Sequence, residues 1–68
     1  MKAVDARGLS CPQPVILTRR AIENGQFPIE VLVDTVTARE NVRRMAEKAG
    51  CTVTMRAAGD DIALTISR

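Results

Sequence analysis

Apolar and polar positions alternate with period two in three stretches of this chain and recur with helical spacing in two others. A short first strand is predicted over Lys2 to Ala6. From Pro12 to Asn24 the residues Pro14, Val15, Thr18, Ala21 and Ile22 fall on one stripe, which predicts a helix that Gly25 stops. Pro28 opens a second strand, Ile29 to Asp34, with Ile29, Val31 and Val33 on one face and Glu30 and Leu32 on the other. The run Thr37-Ala38-Arg39-Glu40 fits a capping box. Thr37 would be the N-cap of a second helix whose stripe is Ala38, Val42, Met45, Ala46 and Ala49, with Gly50 as its end. Two more alternating segments follow, with Cys51, Val53 and Met55 and then Ile62, Leu64 and Ile66 on their apolar faces. Gly59-Asp60-Asp61 joins them as a hairpin.

The opposite faces of these last two segments carry Thr52, Thr54 and Arg56, and Ala63, Thr65 and Ser67. A sheet with helices on both sides needs strands that are apolar on both faces, so one face of this sheet must meet water. Both helices then lie on the other face. Right-handed crossovers from strand one to two and from two to three are compatible with that arrangement, and the last strand, antiparallel to the third, either inserts between strands two and three or adds outside, with insertion favoured. The expected fold is an α/β (α+β) two-layer sandwich, βαβαββ, with a four-stranded mixed sheet in the order 1-2-4-3. It forms one domain over residues 1–68.

The chain has 68 residues, near the size at which one hydrophobic core gives only a few kcal/mol of stability, so a large enclosed active site is not expected. Function should lie on an edge or surface that a partner completes. Ten Lys and Arg against eight Asp and Glu leave a net +2, and Phe27 is the single aromatic; both argue against nucleic-acid binding. No apolar run approaches a membrane span, and the N-terminus does not read as a signal peptide, which points to a cytoplasmic, reducing setting. With no histidine a Cys-His pair is excluded and zinc lacks its usual nitrogen ligand, so neither a metal nor a cofactor is expected.

The chemistry concentrates at Cys11, in the run Leu9-Ser10-Cys11-Pro12-Gln13-Pro14. Proline suits the first helical position, so Pro12 would begin the helix and Cys11 would cap it. A thiolate there is favoured by the positive end of the helix dipole and by free N–H groups. A small buried cap is the competing reading, but cysteine is a poor cap and serine stands one position earlier. Arg7, Gly8 and Leu9 give the preceding segment turn chemistry. The C-terminal ends of strands one and two share an edge, where Asp5, Arg7, Cys11 and Asp34 are expected to converge. Arg7 would either help to hold a sulfur anion or contact a carboxylate, or be a solvated loop arginine, while Asp5 and Asp34 would organise loops. Cys51 begins strand three at the far end of the sheet, too distant for a disulfide with Cys11, and reads as a core residue. Ile16 and Leu17 fall off the core stripe of the first helix and, with Arg19 and Arg20, suit a docking patch for an acidic partner. Arg39, Arg43, Arg44 and Lys48 read as a solvated face.

The run Asp5-Ala6-Arg7-Gly8-Leu9-Ser10-Cys11-Pro12-Gln13-Pro14 resembles the signature of the TusA/SirA/YedF family of small sulfur-carrier proteins, in which a Cys-Pro-x-Pro motif follows an Asp-x-x-Gly-Leu lead-in. The segment Val33 to Val42, with Asp34-Thr35-Val36-Thr37 lacking an Asp-x-Pro, looks closer to the YedF-type branch. The resemblance covers the whole chain and implies the same βαβαββ sandwich. It implies that Cys11 accepts sulfane sulfur as a persulfide and passes it on, a sulfurtransferase role, with Asp5, Arg7, Gly8, Leu9, Pro12, Pro14 and Asp34 supporting it. The implied partners are a sulfur donor, either a cysteine desulfurase or a rhodanese-like protein, and an acceptor protein acting in tRNA thiolation, molybdenum-cofactor or selenium metabolism. The carrier would be a monomer, whether stand-alone or a domain of a longer protein. The alternative is a non-catalytic regulatory or protein-binding module that uses the same edge.

Overall fold

The computed structural model describes residues 2–10 and 12–68. Its elements are β1 (Lys2–Asp5), α1 (Gln13–Asn24), β2 (Ile29–Val33), α2 (Val36–Lys48), β3 (Thr52–Ala58) and β4 (Asp61–Ser67). The sheet order is β1-β2-β4-β3. β1 and β2 run parallel, with Val4 opposite Val31, and β4 runs antiparallel to both of its neighbours, with Leu64 opposite Val31 on one side and Met55 on the other. This is the α+β two-layer arrangement that the alternation of the strands required.

The register puts Val4, Val31, Leu64 and Val53 on the face that the helices cover. Ile29, Val31, Val33, Leu64 and Ile66 are fully buried there, against Ala21 and Ile22 of α1 and Ala38, Val42 and Ala46 of α2. Small residues on the helices let them lie close to a sheet of branched side chains. Thr18 joins this stripe because its hydroxyl donates to the Pro14 carbonyl at 2.8 Å, which satisfies its one polar group inside the core. Gly25 ends α1 in a left-handed conformation, φ +69°, and its N–H donates to the Ile22 carbonyl.

The other face carries its own order. Arg56 reaches across β4 to Glu30 on β2 at 2.9 Å, and Ala63 beneath that span is buried although it lies on the open side. The β3–β4 hairpin turns at Gly59-Asp60 with Ala58 opposite Asp61; Gly59 takes φ +66° and Asp60 does not share a positive φ, as in a type II′ turn.

Three local expectations change. Pro12 is the cap of α1 and not its first helical residue: its φ of −100° and ψ of 18° are non-helical, while its carbonyl accepts the first helical bond from the Ile16 N–H at 3.1 Å. The cause is that Pro12 belongs to a tight turn, closed by the Gln13 N–H donating to the Ser10 carbonyl at 2.9 Å. At the second helix Thr35 is the cap, its hydroxyl accepting from the Ala38 N–H, and Thr37 lies within α2. Glu40 does not reach back; it is drawn forward to Arg43 at 2.7 Å. Met55 has core parity but is 45 % exposed. It lies on an edge strand, and α2 runs from the end of β2 to the start of β3, so it covers Cys51 and Val53 and leaves the far half of β3 open.

Candidate functional site

Because β1 and β2 are parallel neighbours, each followed by a helix, the starts of α1 and α2 stand side by side above one edge of the sheet. Between them is a cleft of about 350 Å³, lined by Leu9, Ser10, Pro14 and Val15 from the first unit and by Thr35, Thr37, Ala38 and Asn41 from the second. The two loops are tied together where the Gly8 N–H donates to Asp34 Oδ2 at 2.9 Å. Gly8 takes φ +74°, so the turn that presents this N–H to Asp34 favours glycine. Asp34 therefore fixes the β1–α1 loop against the start of α2, the loop-organising role that the sequence suggested.

Cys11 lies outside the described residues, and its neighbours on each side, Ser10 and Pro12, are both exposed. Gln13 spends its N–H on Ser10 and Pro14 has none, so neither of the first two helical residues offers an amide to an anion. An anion here would draw on the dipoles of the two adjacent helix starts more than on a ring of free amides.

Asp5 and Arg7 take a different direction from the cleft. Asp5 pairs with Leu32 in register and so projects on the open face of the sheet. Arg7 binds it in a fork, Nε to Oδ1 at 2.9 Å and a terminal nitrogen to Oδ2 at 2.8 Å, and reaches Asp61 of β4 at 3.2 Å with the other. Arg7 is thus a clamp that joins β1 to β4 across β2, with two carboxylates for one guanidinium. Its partners are carboxylates of its own chain, and it is turned from the helix starts toward the open face of the sheet. Hydrogen bonds from the Arg7 side chain and backbone hold the Asp5 carboxyl down from 3.8 to about 2, and the Asp5 hydrogen bond chiefly raises Arg7 further above its ordinary range. A depressed carboxyl contributes stability at pH values above its unfolded pKa and loses that contribution as the pH falls through the folded one, here between about 3.8 and about 2. In Arg7→Gln the Asp5 carboxyl is expected to titrate near 3.8, read by carboxyl carbon NMR. A value still near 2 would show that another group holds it down.

Leu9, Ile16, Leu17 and Arg20 do come together, around a second hollow of about 400 Å³ on the outer side of α1 with Gln13. Arg19, expected in the same patch, turns to the other side of α1 and lines the groove toward α2 with Val15 and Met45. Pro14 is buried under the helix start. Cys51 is buried just before Thr52, which pairs with Ser67 at the opposite end of the sheet, in agreement with its reading as core. Two participants were missed. Asp61 read as a turn residue, and only the strand order combined with register parity puts it beside Arg7. Thr35 caps α2 although the capping-box pattern starts two residues later, at Thr37.

With this geometry in view, likeness to known proteins is informative. The family model described as sulfurtransferase TusA matches residues 2–68. The chain belongs to the TusA family. A relative from Methanocaldococcus jannaschii, provisionally named a sulfur carrier protein, is 42% identical over 57 residues, covering 81% of this chain and 76% of its own. Another from Archaeoglobus fulgidus, named in the same way, is 38% identical over 52 residues, 74% of this chain and 68% of its own. The crystal structure of a SirA-like protein from Desulfitobacterium hafniense superposes with a TM-score of 0.89 at 32% identity, covering 98% of this chain and 96% of that one. As a TusA-family domain, the chain is a sulfur carrier with the family's two-layer fold. Among the described residues no helix is long and apolar enough to cross a membrane.

Proposed function

We propose that this TusA-family domain carries sulfane sulfur as a persulfide on Cys11. The observation that carries the reading is the placement of Ser10, next to Cys11 in the chain, on the wall of a cleft between two helix starts. A sulfur carrier needs a thiol that ionises easily and that a second protein can reach. Helix starts favour the anion, and a loop-to-helix junction flanked by exposed residues favours access. No histidine is present to act as base, so ionisation must come from this environment. In the transfer step the Cys11 thiolate attacks the terminal sulfur of a donor persulfide. A new S–S bond forms on Cys11 as the donor's S–S bond breaks, the donor cysteine leaves as a thiolate, and the transferred sulfur keeps its proton or loses it to water. The reverse chemistry with an acceptor thiolate unloads the carrier, and neither step changes the overall oxidation level.

Gly8, Leu9, Pro12, Pro14 and Asp34 shape the loop and helix start in this reading, while Asp5 and Arg7 anchor its base to the sheet. The apolar hollow formed by Leu9, Ile16 and Leu17 with Arg20 at its rim would receive the acceptor protein. That hollow also suits a module that only binds protein. On that second reading Cys11→Ser would leave partner binding and cellular function intact. Incubation with a cysteine desulfurase and cysteine is expected to add one sulfur, about 32 Da, to the intact mass of the wild type and nothing to Cys11→Ser. Absence of the adduct with both desulfurase and rhodanese-like donors would refute the carrier reading.

A further inference from the structure

Most arginines are matched: Arg7 with Asp5 and Asp61, Arg39 and Arg43 with Glu40, Arg43 also with Glu47, and Arg56 with Glu30. Arg68 lies over the Phe27 ring instead, and Arg20, on the outer side of α1, enters none of these pairs. Arg19 of α1 and Arg44 and Lys48 of α2 enter none of these pairs, and they line two adjoining hollows between α1 and α2 that share Val15, Met45 and Lys48 and together form a groove. Arg44 and Lys48 are one helical turn apart, so two like charges share one flank, a spacing that costs stability in an isolated helix. Glu47, the nearest carboxylate on that flank, is already taken by Arg43. Glu23 is the single acidic group of the groove outside an ion pair.

The floor between these cations is apolar. Val15 and Met45 line both ends of the groove, Ile22 its lower part, and the wider upper part, about 720 Å³, opens beside Pro12. α1 alone gives it a length of about 18 Å, at 1.5 Å per helical residue. Resting on the carrier reading above, we infer that this groove docks an acidic, amphipathic segment of the sulfur-donor protein, whose carboxylates meet Arg19, Arg44 and Lys48 while its apolar side chains lie on Val15 and Met45. A methionine on the floor adapts to side chains of different shape. Because the groove opens beside the residue that follows Cys11, a segment lying in it brings the donor's sulfur toward that thiol. Charge complementarity selects the occupant: three cations outside these ion pairs, against Glu23 as the one such carboxylate, leave an excess of positive charge along an apolar strip that suits an acidic protein segment, and the strip offers no aromatic ring on which a base could stack.

The test compares two donors. With a cysteine desulfurase and cysteine, Arg44→Glu and Lys48→Glu are each expected to lower the second-order rate of sulfur loading by about 5- to 10-fold at low salt, and the deficit should shrink as salt rises toward 0.5 M. With inorganic polysulfide, which needs no docking, both variants should load at the wild-type rate. Lys2→Glu makes the same change in net charge at the start of β1, away from the groove, and should load normally from either donor. Equal loading of all variants by the desulfurase, or an equal loss in Lys2→Glu, would overturn the inference, as would a matching loss with polysulfide. Rescue of the deficit by removing bound RNA would also overturn it, in favour of a nucleic-acid surface. A wild type that takes sulfur from neither donor refutes the carrier reading and this inference with it. A wild type loaded by polysulfide and not by the desulfurase refutes the docking alone.

Discussion

Iodoacetamide added to the native protein at neutral pH is expected to label Cys11 and spare Cys51, and addition of urea to make both react. The two thiols have the same intrinsic chemistry and differ in their surroundings. Cys51 is 8 % exposed and packs in the core cluster with Ile29 and Ile66, whereas Cys11 is flanked by exposed residues. If Cys51 reacts only when the domain opens, its protection equals the opening equilibrium. A domain of this length is stable by roughly 3 to 10 kcal/mol at 0.05–0.15 kcal/mol per residue, so the lower end alone slows Cys51 by about 100-fold. Any lowering of the Cys11 pKa by the helix starts widens the gap, because the thiolate is the reacting species. Peptide mapping after partial alkylation reads both sites in one sample. Equal labelling of the two cysteines in the folded protein would contradict the assignment of Cys51 to the core and of Cys11 to an accessible junction.

Leu64→Ala should have the largest effect on stability. Leu64 is fully buried at the centre of β4, between Val31 and Met55 in the cross-strand register. Truncating a buried leucine costs about 2–5 kcal/mol in lost burial and residual cavity. That is comparable to the whole stability of so small a domain, so much of the variant should be unfolded without denaturant. Met55→Ala provides the contrast. Met55 lies directly opposite Leu64 on the same face, yet it is on the uncovered half of the edge strand, and its truncation should change stability by less than about 1 kcal/mol. Urea titration followed by circular dichroism measures both. Equal losses would mean that β3 is covered along its full length.

How much of this the amino acids revealed depends on the range of the interaction. The two-layer arrangement followed from the polar faces of the last two strands, a local pattern with a global consequence: Thr52, Thr54 and Arg56 cannot lie beneath a helix, so both helices had to share the other side, while insertion of the last strand rather than its addition outside was a preference that the structure bears out. Gly25 stopped α1 for a reason contained in one residue. The cap of α2 was misplaced by two residues because Thr35 and Thr37 are both good caps, and Glu40, which seemed to decide between them, had a stronger partner in Arg43 one turn further on. The start of α1 was misplaced by one residue because a proline at a helix start fits either the cap or the first turn, and the turn closed by Ser10 and Gln13 chose the cap.

At the site, the convergence of the β1 and β2 loops was legible because parallel neighbouring strands must end at one edge, and the Gly8–Asp34 hydrogen bond realises it. The direction of Arg7 was not. It depends on Asp61, which is 54 positions away and comes within reach only once β4 has inserted beside β2. The arginines and lysine of α2 read as one solvated face. The fold divides them into Arg39 and Arg43, tied to local glutamates, and Arg44 and Lys48, which border the helix–helix groove.

The most direct test of the central claim is to locate the sulfur. Wild-type protein loaded by a cysteine desulfurase and cysteine, alkylated without reduction and digested, should yield the Cys11 peptide carrying one extra sulfur that dithiothreitol removes, with the Cys51 peptide unchanged. An added sulfur on Cys51, or a loaded mass that persists in Cys11→Ser, would contradict the account.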